Sequence, residues 1–205
     1  MSASPVRFSG HLWSVKTSME PVGPGPNRFA AANVTVDVRG RLVLAISPDA
    51  WGWTCAEVVA QGGFGYGIYD WTVSSSVAEF DPAVVLGLFT WSDDAAGTHQ
   101  ELDIEFSRWG EAAPVGGSFT VQQAALTKRF PIAAGAGRHS VEWTPGRVAF
   151  RSRFGARVQG WEHNGRDVPV PAAGVAPRIN CWLFHGAVAG RPHRVTIESF
   201  SYLPP

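Results

Sequence analysis

The sequence predicts an all-β protein folded as a two-sheet antiparallel β-jelly-roll sandwich. Turn-forming residues are frequent and dispersed, because 23 Gly and 15 Pro are spread along the whole 205-residue chain. Such regular interruption is typical of many short strands joined by turns. So many strands in one domain must close or stack to cover their edges, which favours a jelly roll over an open sheet.

Runs of alternating or continuous apolar residues mark the predicted strands. In chain order these are 33–38, 41–46, 54–61, 68–74, 84–91, 99–108, 118–124, 139–144, 148–153, 178–184 and 194–202. Arg39-Gly40 joins the first two as a hairpin, and Pro145-Gly146 forms a tight turn between two later strands. Only 122–128 could be helical instead, because no other segment sustains a 3.6-residue period.

Length and composition predict one domain spanning residues 1–205. No linker, charge block, low-complexity tract or internal repeat marks a boundary, and all-β sandwiches often reach this length as one unit. Apolar residues form 45% of the chain and charged residues only 17%, which excludes a disordered protein. Cys55 and Cys181 are too few for a disulfide framework, and the sequence favours two small buried residues over a bridge.

Charge and hydropathy exclude two classes of partner. Lys and Arg number 17, as do Asp and Glu, so the excess of basic residues that nucleic-acid binding requires is absent. No apolar run approaches the roughly 20 residues of a membrane-spanning helix.

The N-terminal residues lack the apolar segment of a secretory signal, which predicts a cytoplasmic protein unless a leader was trimmed from a secreted precursor. We expect a monomer.

The most informative segment is 99–106, which reads His-Gln-Glu-Leu-Asp-Ile-Glu-Phe. Because side chains alternate between the faces of a strand, the segment has an apolar face suited to the core, formed by Leu102, Ile104 and Phe106. Glu101, Asp103 and Glu105 share the opposite face, where the Cα atoms of residues two apart in the chain are separated by about 7 Å. Acidic residues are depleted in strands and like charges in register repel, so this row indicates a function rather than a solvated strand.

Three crowded carboxyl groups suit one kind of chemistry in particular. Crowding raises the pKa of at least one of them, so a protonated carboxyl can sit beside an ionised one, as glycoside cleavage requires. The Cα atoms of Glu101 and Glu105 lie roughly 13 Å apart by strand rise. Leaning side chains could reach the carboxyl separation of a retaining mechanism, about 5–5.5 Å, or of an inverting one, about 6.5–9.5 Å. The spacing leaves both mechanisms open.

Calcium binding is an alternative use of these oxygen atoms. Asp93, Asp94 and the acidic row could supply ligands, but calcium sites usually take theirs from a loop that wraps the ion. A structural calcium ion is therefore compatible with the sequence but not indicated. No metal site is predicted, and no cofactor is expected to be required.

The segment Glu101-Leu-Asp-Ile-Glu-Phe106 closely resembles the catalytic strand of glycoside hydrolase family 16, the laminarinase, lichenase and xyloglucan-transglycosylase group. The other segments that resemble this family are 55–59, 64–70, 139–150, 178–183 and 195–202. The likeness extends from about Phe8 to Tyr202.

The resemblance implies a jelly roll with a sugar-binding cleft on its concave sheet. By position in the motif, Glu101 would be the nucleophile, Glu105 the general acid and then the base, and Asp103 the residue that holds and tunes the pair. The family retains anomeric configuration through a covalent glycosyl-enzyme. Three residues fall where family members contact the sugar nearest the scissile bond: Glu57, Asn180 and Trp182.

The nine Trp residues divide by neighbourhood. Trp182 alternates with Cys181 and Leu183, so it faces the cleft if they face the core. Trp91 and Trp109 end strands beside the acidic row and are candidate cleft walls. The Trp residues predicted to lie in the core are Trp13, Trp71 and Trp143.

Two polar residues are weaker candidates for substrate contacts. His99 lies two residues before Glu101 on the same strand face, and Gln122 lies on a neighbouring strand. A group of arginines could bind an acidic glycan but is more typical of a solvated face; it comprises Arg147, Arg151, Arg153 and Arg157.

Together these features predict a retaining, endo-acting glycoside hydrolase that cleaves a β-linked polysaccharide by double displacement. The partner is then a poly- or oligosaccharide substrate. A non-catalytic, lectin-like carbohydrate-binding module on the same fold is the alternative from another class, although a pure binder does not need a crowded acidic row. A transglycosylase differs only in whether a sugar or water accepts the glycosyl group, and the residues do not separate it from a hydrolase.

Overall fold

The computed structural model describes residues 3–94 and 100–205. Strands form more than half of this described part and are numbered β1–β17 in chain order. Their bounds are Val6–Phe8, His11–Val15, Ser18–Val22, Asn27–Phe29, Val34–Val36, Leu42–Asp49, Gly52–Ala60, Gly67–Val73, Val84–Trp91, Leu102–Ser107, Gly116–Val121, Leu126–Pro131, Gly137–Thr144, Arg147–Phe154, Arg157–Asn164, Ala176–Leu183 and His193–Leu203. No helical turn in these ranges has the length and apolar character needed to cross a bilayer.

The strands form two antiparallel sheets that pack against each other. The order in the first sheet is β1-β2-β7-β16-β9-β10-β11-β12. The order in the second sheet is β5-β6-β17-β8-β13-β14-β15. The β6–β7 hairpin joins the two sheets, and β4 of the small β3–β4 hairpin runs parallel to β7. This architecture confirms the predicted jelly-roll sandwich.

The core lies between the sheets and is rich in aromatic rings. Trp13, Trp71 and Trp143 are fully buried, which confirms their prediction as core residues. The indole N–H of Trp13 donates to the Phe8 carbonyl at 3.1 Å, and that of Trp143 donates to the Pro169 carbonyl at 2.9 Å. These bonds remove much of the cost of burying a polar indole nitrogen.

The structure corrects the sequence prediction in a few places. All eleven predicted strands are present with ends that shift by a few residues, but β1–β4, β12 and β15 were missed because they are short or largely exposed. The helical alternative for 122–128 is wrong. Gln122–Ala124 forms one 3-10 turn that ends at Ala125, whose φ of 52° is left-handed, and β12 then pairs with β11. Cys55 and Cys181 are buried free thiols, as predicted.

Candidate active site

A cleft of about 390 Å³ opens on the outer face of the first sheet. Its lining comes from β7, β16, β9 and β10, from the residue after β2, and from the turn between β3 and β4. The lining residues are Lys16, Gly23, Pro24, Glu57, Phe89, Trp91, Asp93, Glu101, Asp103, Glu105, Arg178, Asn180 and Trp182. Most of the residues predicted from the sequence therefore meet in one place.

The acidic row lies in the middle of this sheet, on β10 and the residue before it. Strand β10 is hydrogen-bonded to β9 on one side and to β11 on the other, which holds its backbone rigidly. The predicted alternation is confirmed because the three apolar members of the segment, Leu102, Ile104 and Phe106, are fully buried. Glu101, Asp103 and Glu105 line the cleft on the other face.

Asp103 lies between the two glutamates and connects them. Its carboxyl is hydrogen-bonded to Glu101, and the Gln122 side-chain amide donates to its Oδ2 at 3.1 Å. Burial raises the pKa of Asp103 well above its usual value, and the charges of Glu101 and Glu105 raise it further. A carboxyl with a raised pKa holds its proton more strongly and can donate a hydrogen bond to Glu101, so Asp103 is placed to orient the Glu101 side chain.

Glu105 is held protonated by its surroundings. Desolvation, followed by the nearby charge of Glu101, raises the pKa of Glu105 to about 8. The carboxyl is therefore mostly neutral at pH 7 and can donate a proton. A carboxyl that is protonated at neutral pH and exposed to a cleft is what a general acid requires.

The floor of the cleft is a row of cross-strand neighbours. Glu57 is paired with Asn180, Asn180 with Gly87, and Gly87 with Glu105. A Cβ added at Gly87 would collide with Oδ1 of Asn180. The absence of a side chain at Gly87 therefore leaves room for the Asn180 amide to lie over β9.

Replacement of Gly87 by alanine tests whether the position of the Asn180 side chain matters for activity. The new methyl group must push the Asn180 side chain aside, and a misplaced contact at a reacting centre costs about 100-fold in rate. We expect kcat/KM on the predicted β-linked polysaccharide to fall by about that factor while the thermal midpoint changes little. The control is Gly116→Ala in β11 of the same sheet, where the nearest atom lies 3.5 Å from the added Cβ. Equal rates for the two variants would contradict the role of Gly87.

Two cations in the cleft were missed by the sequence reasoning. Arg178 donates from Nη1 to Glu57 at 3.3 Å and from Nη2 to Asp93 at 2.7 Å, and Lys16 donates to Glu57 at 3.0 Å. Glu57 is only 1% exposed, so these two bonds compensate its buried charge and fix its orientation. Burial raises the pKa of Asp93, but the hydrogen bond and charge of Arg178 outweigh it and lower the pKa. Strand alternation was the available signal, because Arg178 lies two residues before Asn180 on β16.

The aromatic candidates occupy different positions. Trp182 and Trp91 line the cleft, and the Trp91 indole N–H donates to Asp93 at 3.0 Å. Trp109 is not among the lining residues. Its ring meets Trp182 edge-on, with centroids 6.4 Å apart, and packs on Phe184 at 5.4 Å. The structure thus places Trp109 where it can support Trp182 from behind.

The remaining candidates are placed as follows. Gln122 does not line the cleft but binds Asp103, so it can act on the acidic row through that residue. His99 lies outside the described residues. Within 3–94 and 100–205, no three His, Cys, Asp or Glu side chains are grouped so that they could hold a metal ion.

Solved structures with the same fold are β-glucanases and related proteins. A Bacillus licheniformis β-glucanase matches over 100% of both chains with 17% identity and a TM-score of 0.72. A prokaryotic β-1,3-1,4-glucanase (lichenase) from a mouse hindgut metagenome shares 20% identity over 97% of this chain and 96% of its own, with a TM-score of 0.73. A Mycobacterium tuberculosis protein described as an immunostimulatory antigen and pseudo β-1,3-glucanase shares 16% identity over 94% of this chain and 91% of its own, with a TM-score of 0.68.

These likenesses show a shared fold. No protein-family model matches the chain, and no curated protein matches it. Function therefore has to be argued from the site itself.

Proposed function

We propose that the protein is a retaining, endo-acting glycoside hydrolase of family 16 that cleaves a β-linked glucan by double displacement. The observation that supports this most is the acidic row in the cleft, where Asp103 lies between Glu101 and Glu105, the pKa of Asp103 is raised, and the pKa of Glu105 is raised to about 8. A non-catalytic sugar-binding site does not need a carboxyl that stays protonated at neutral pH.

In the first step, a carboxylate oxygen of Glu101 attacks the anomeric carbon of the sugar. The bond from that carbon to the glycosidic oxygen breaks as Glu105 donates its proton to the oxygen, and the sugar is left as an ester on Glu101. Asp103 donates a hydrogen bond to the Glu101 carboxylate and so keeps this attacking group in position.

In the second step, Glu105 acts as a base. Its carboxylate takes a proton from a water molecule, whose oxygen attacks the anomeric carbon as the ester bond to Glu101 breaks. Glu101 is again a carboxylate and Glu105 again a carboxylic acid. Two inversions at the same carbon return the original β configuration.

We propose a neutral glucan because of the charges in the cleft. The two cations among the lining residues, Lys16 and Arg178, are already bound to Glu57 and Asp93, and the Glu101 carboxylate of the proposed mechanism adds negative charge. A uronic acid or a sulfated sugar would meet repulsion and no unmatched cation. The structural neighbour described as a β-1,3-1,4-glucanase makes mixed-linkage β-glucan the first substrate to test.

Endo action is proposed from the layout of the cleft. Its walls come from four adjacent strands, β7, β16, β9 and β10, and from the β3–β4 turn. A depression that crosses a sheet in this way can bind an internal segment of a polysaccharide. An exo-acting enzyme, in contrast, needs a pocket that is closed around the end of the polysaccharide chain.

The test is a panel of mixed-linkage β-glucan, laminarin and hydroxyethyl cellulose, with wild type beside Glu101→Gln. We expect wild type alone to release new reducing ends, to lower the viscosity faster than it releases monosaccharide, and to give β anomers first by NMR. Cleavage with α products would contradict the retaining mechanism. Equal binding of a glucan by both proteins without any cleavage would contradict hydrolysis and assign the site to a sugar-binding module.

A further inference from the structure

A second charged site lies on the outer face of the second sheet, on the opposite side of the sandwich from the cleft. Three exposed arginines on β13 and β14, namely Arg138, Arg151 and Arg153, form what we call the arginine face. They line a depression of about 240 Å³ together with Ser140 and Asp70. Asp70 supplies the one carboxylate among these lining residues.

The arginine face is poorly neutralised. Asp70 accepts from Nε of Arg138 through both oxygens, at 2.8 and 2.9 Å, and this raises the pKa of Arg138. Arg151 and Arg153 form no ion pair within the described residues, and Arg138 and Arg153 are direct cross-strand neighbours. Two like charges in register cost stability. The residues that line the depression thus include three guanidinium groups but one carboxylate, which is bound to Arg138.

The same strand shows how the chain neutralises an arginine elsewhere. Arg147 on β14 donates to Glu142 on β13 at 2.6 Å and to Glu162 on β15 at 2.8 Å, so it has a carboxylate on each side. The residues opposite Arg151, in contrast, are Ser140 and Gly160. The difference between the two ends of one strand indicates that the positive charge at the arginine face is left available to a ligand.

We propose that the arginine face binds the anionic groups of a charged polysaccharide. Guanidinium groups present paired N–H donors that match the oxygens of sulfate, phosphate or carboxylate groups, and the depression gives such a group a recess among three of them. The site is independent of the cleft, whose own charge is negative.

A glycan fits this site better than a nucleic acid. The chain has no overall positive charge, and duplex binding depends on many phosphate contacts along an extended basic surface. The arginine face spans only two adjacent strands. Such a patch matches one or two anionic substituents of a sugar chain, so the protein could be retained on an acidic polysaccharide while the cleft acts on a neutral one.

The test uses the full chain and dextran sulfate, with neutral dextran of the same length as the uncharged comparison. We expect wild type to bind dextran sulfate only, and Arg151→Ala/Arg153→Ala to bind it at least about tenfold more weakly, with a salt dependence reduced by about two charges. The charge-matched control is Arg147→Ala/Arg194→Ala on the same sheet, which should bind like wild type. Ser140→Glu should also weaken binding, because it places a carboxylate opposite Arg151 with every arginine retained.

Several results would overturn the proposal. They are absence of dextran sulfate binding by wild type, equal weakening by the charge-matched control, and binding of a 20-base-pair DNA duplex as tight as that of dextran sulfate. Glucan cleavage should be the same in Arg151→Ala/Arg153→Ala as in wild type. Loss of anion binding without loss of cleavage therefore separates this site from the proposed function.

Discussion

Replacement of Glu101 by alanine is expected to abolish glucan cleavage while the fold and glucan binding remain. Without this carboxylate the glycosyl-enzyme ester cannot form, and loss of a catalytic nucleophile costs at least about 10⁴-fold in kcat. Glu101 precedes β10 and lines the cleft rather than the core, so its removal leaves the sandwich packing intact. Reducing-end assays report the activity, and thermal unfolding and glucan affinity report the fold.

Azide makes this experiment specific for the nucleophile. In Glu101→Ala the space left by the carboxylate admits a small anion, which can attack an activated β-glucoside directly. We expect added azide to restore turnover and to give an α-glycosyl azide, because only one inversion then occurs. The control is Glu111→Ala, an exposed acid outside the cleft, which should keep wild-type rates without azide. Wild-type rates in Glu101→Ala, or an azide product of β configuration, would assign the nucleophile elsewhere.

The part of the site that could be predicted follows from strand periodicity. A period of two places Glu101, Asp103 and Glu105 on one face whatever the neighbouring strands are. The same rule places Asn180 and Trp182 together once Cys181 is taken as buried, and Cys181 is fully buried. Alternation within one strand is therefore sufficient to predict which of its side chains share a face.

The part that could not be predicted depends on pairing between strands far apart in sequence. Gly87 matters because β9 lies between β10 and β16, which brings Glu105 and Asn180 to either side of it. Arg178 matters because β16 also pairs with β7, so that its guanidinium reaches Glu57. Neither neighbour relation is visible in a local pattern, since strand order in a jelly roll is set by the packing of the whole chain.

The position of Trp109 near a strand end was not sufficient to predict where its side chain lies. Trp109 lies two residues after the end of β10, close to the acidic row in sequence, but its φ of 54° turns the chain there. The ring consequently packs on Phe184 and the edge of Trp182. Two consecutive left-handed residues, Trp109 and Gly110, make this turn, and a left-handed conformation at a tryptophan cannot be predicted from the residue type.

The second large effect is expected from Glu105, whose proton has to be present for the first step. Because its pKa is raised to about 8, the carboxyl is protonated at neutral pH and loses its proton as the pH rises through 8. We expect kcat/KM on a natural glucan to be insensitive to Glu105 ionisation below pH 7 and to fall about tenfold per pH unit above 8. A basic limb near pH 5, where an ordinary glutamate titrates, would contradict the assignment.

Two further experiments distinguish an acid role of Glu105 from a structural role. One changes the leaving group of the substrate, and the other removes the charge of Glu101. Glu105→Ala should lose about 10²–10⁴-fold on a natural glucan, where the leaving oxygen needs a proton, but little in the first step on a 2,4-dinitrophenyl glycoside, where it does not. Equal losses on both substrates would mean that Glu105 acts by holding the site together.

Since the charge of Glu101 contributes to the raised pKa of Glu105, Glu101→Gln should lower that pKa in an NMR titration. An unchanged pKa there would show that desolvation alone keeps Glu105 protonated and that the two carboxyls do not interact as the double displacement requires.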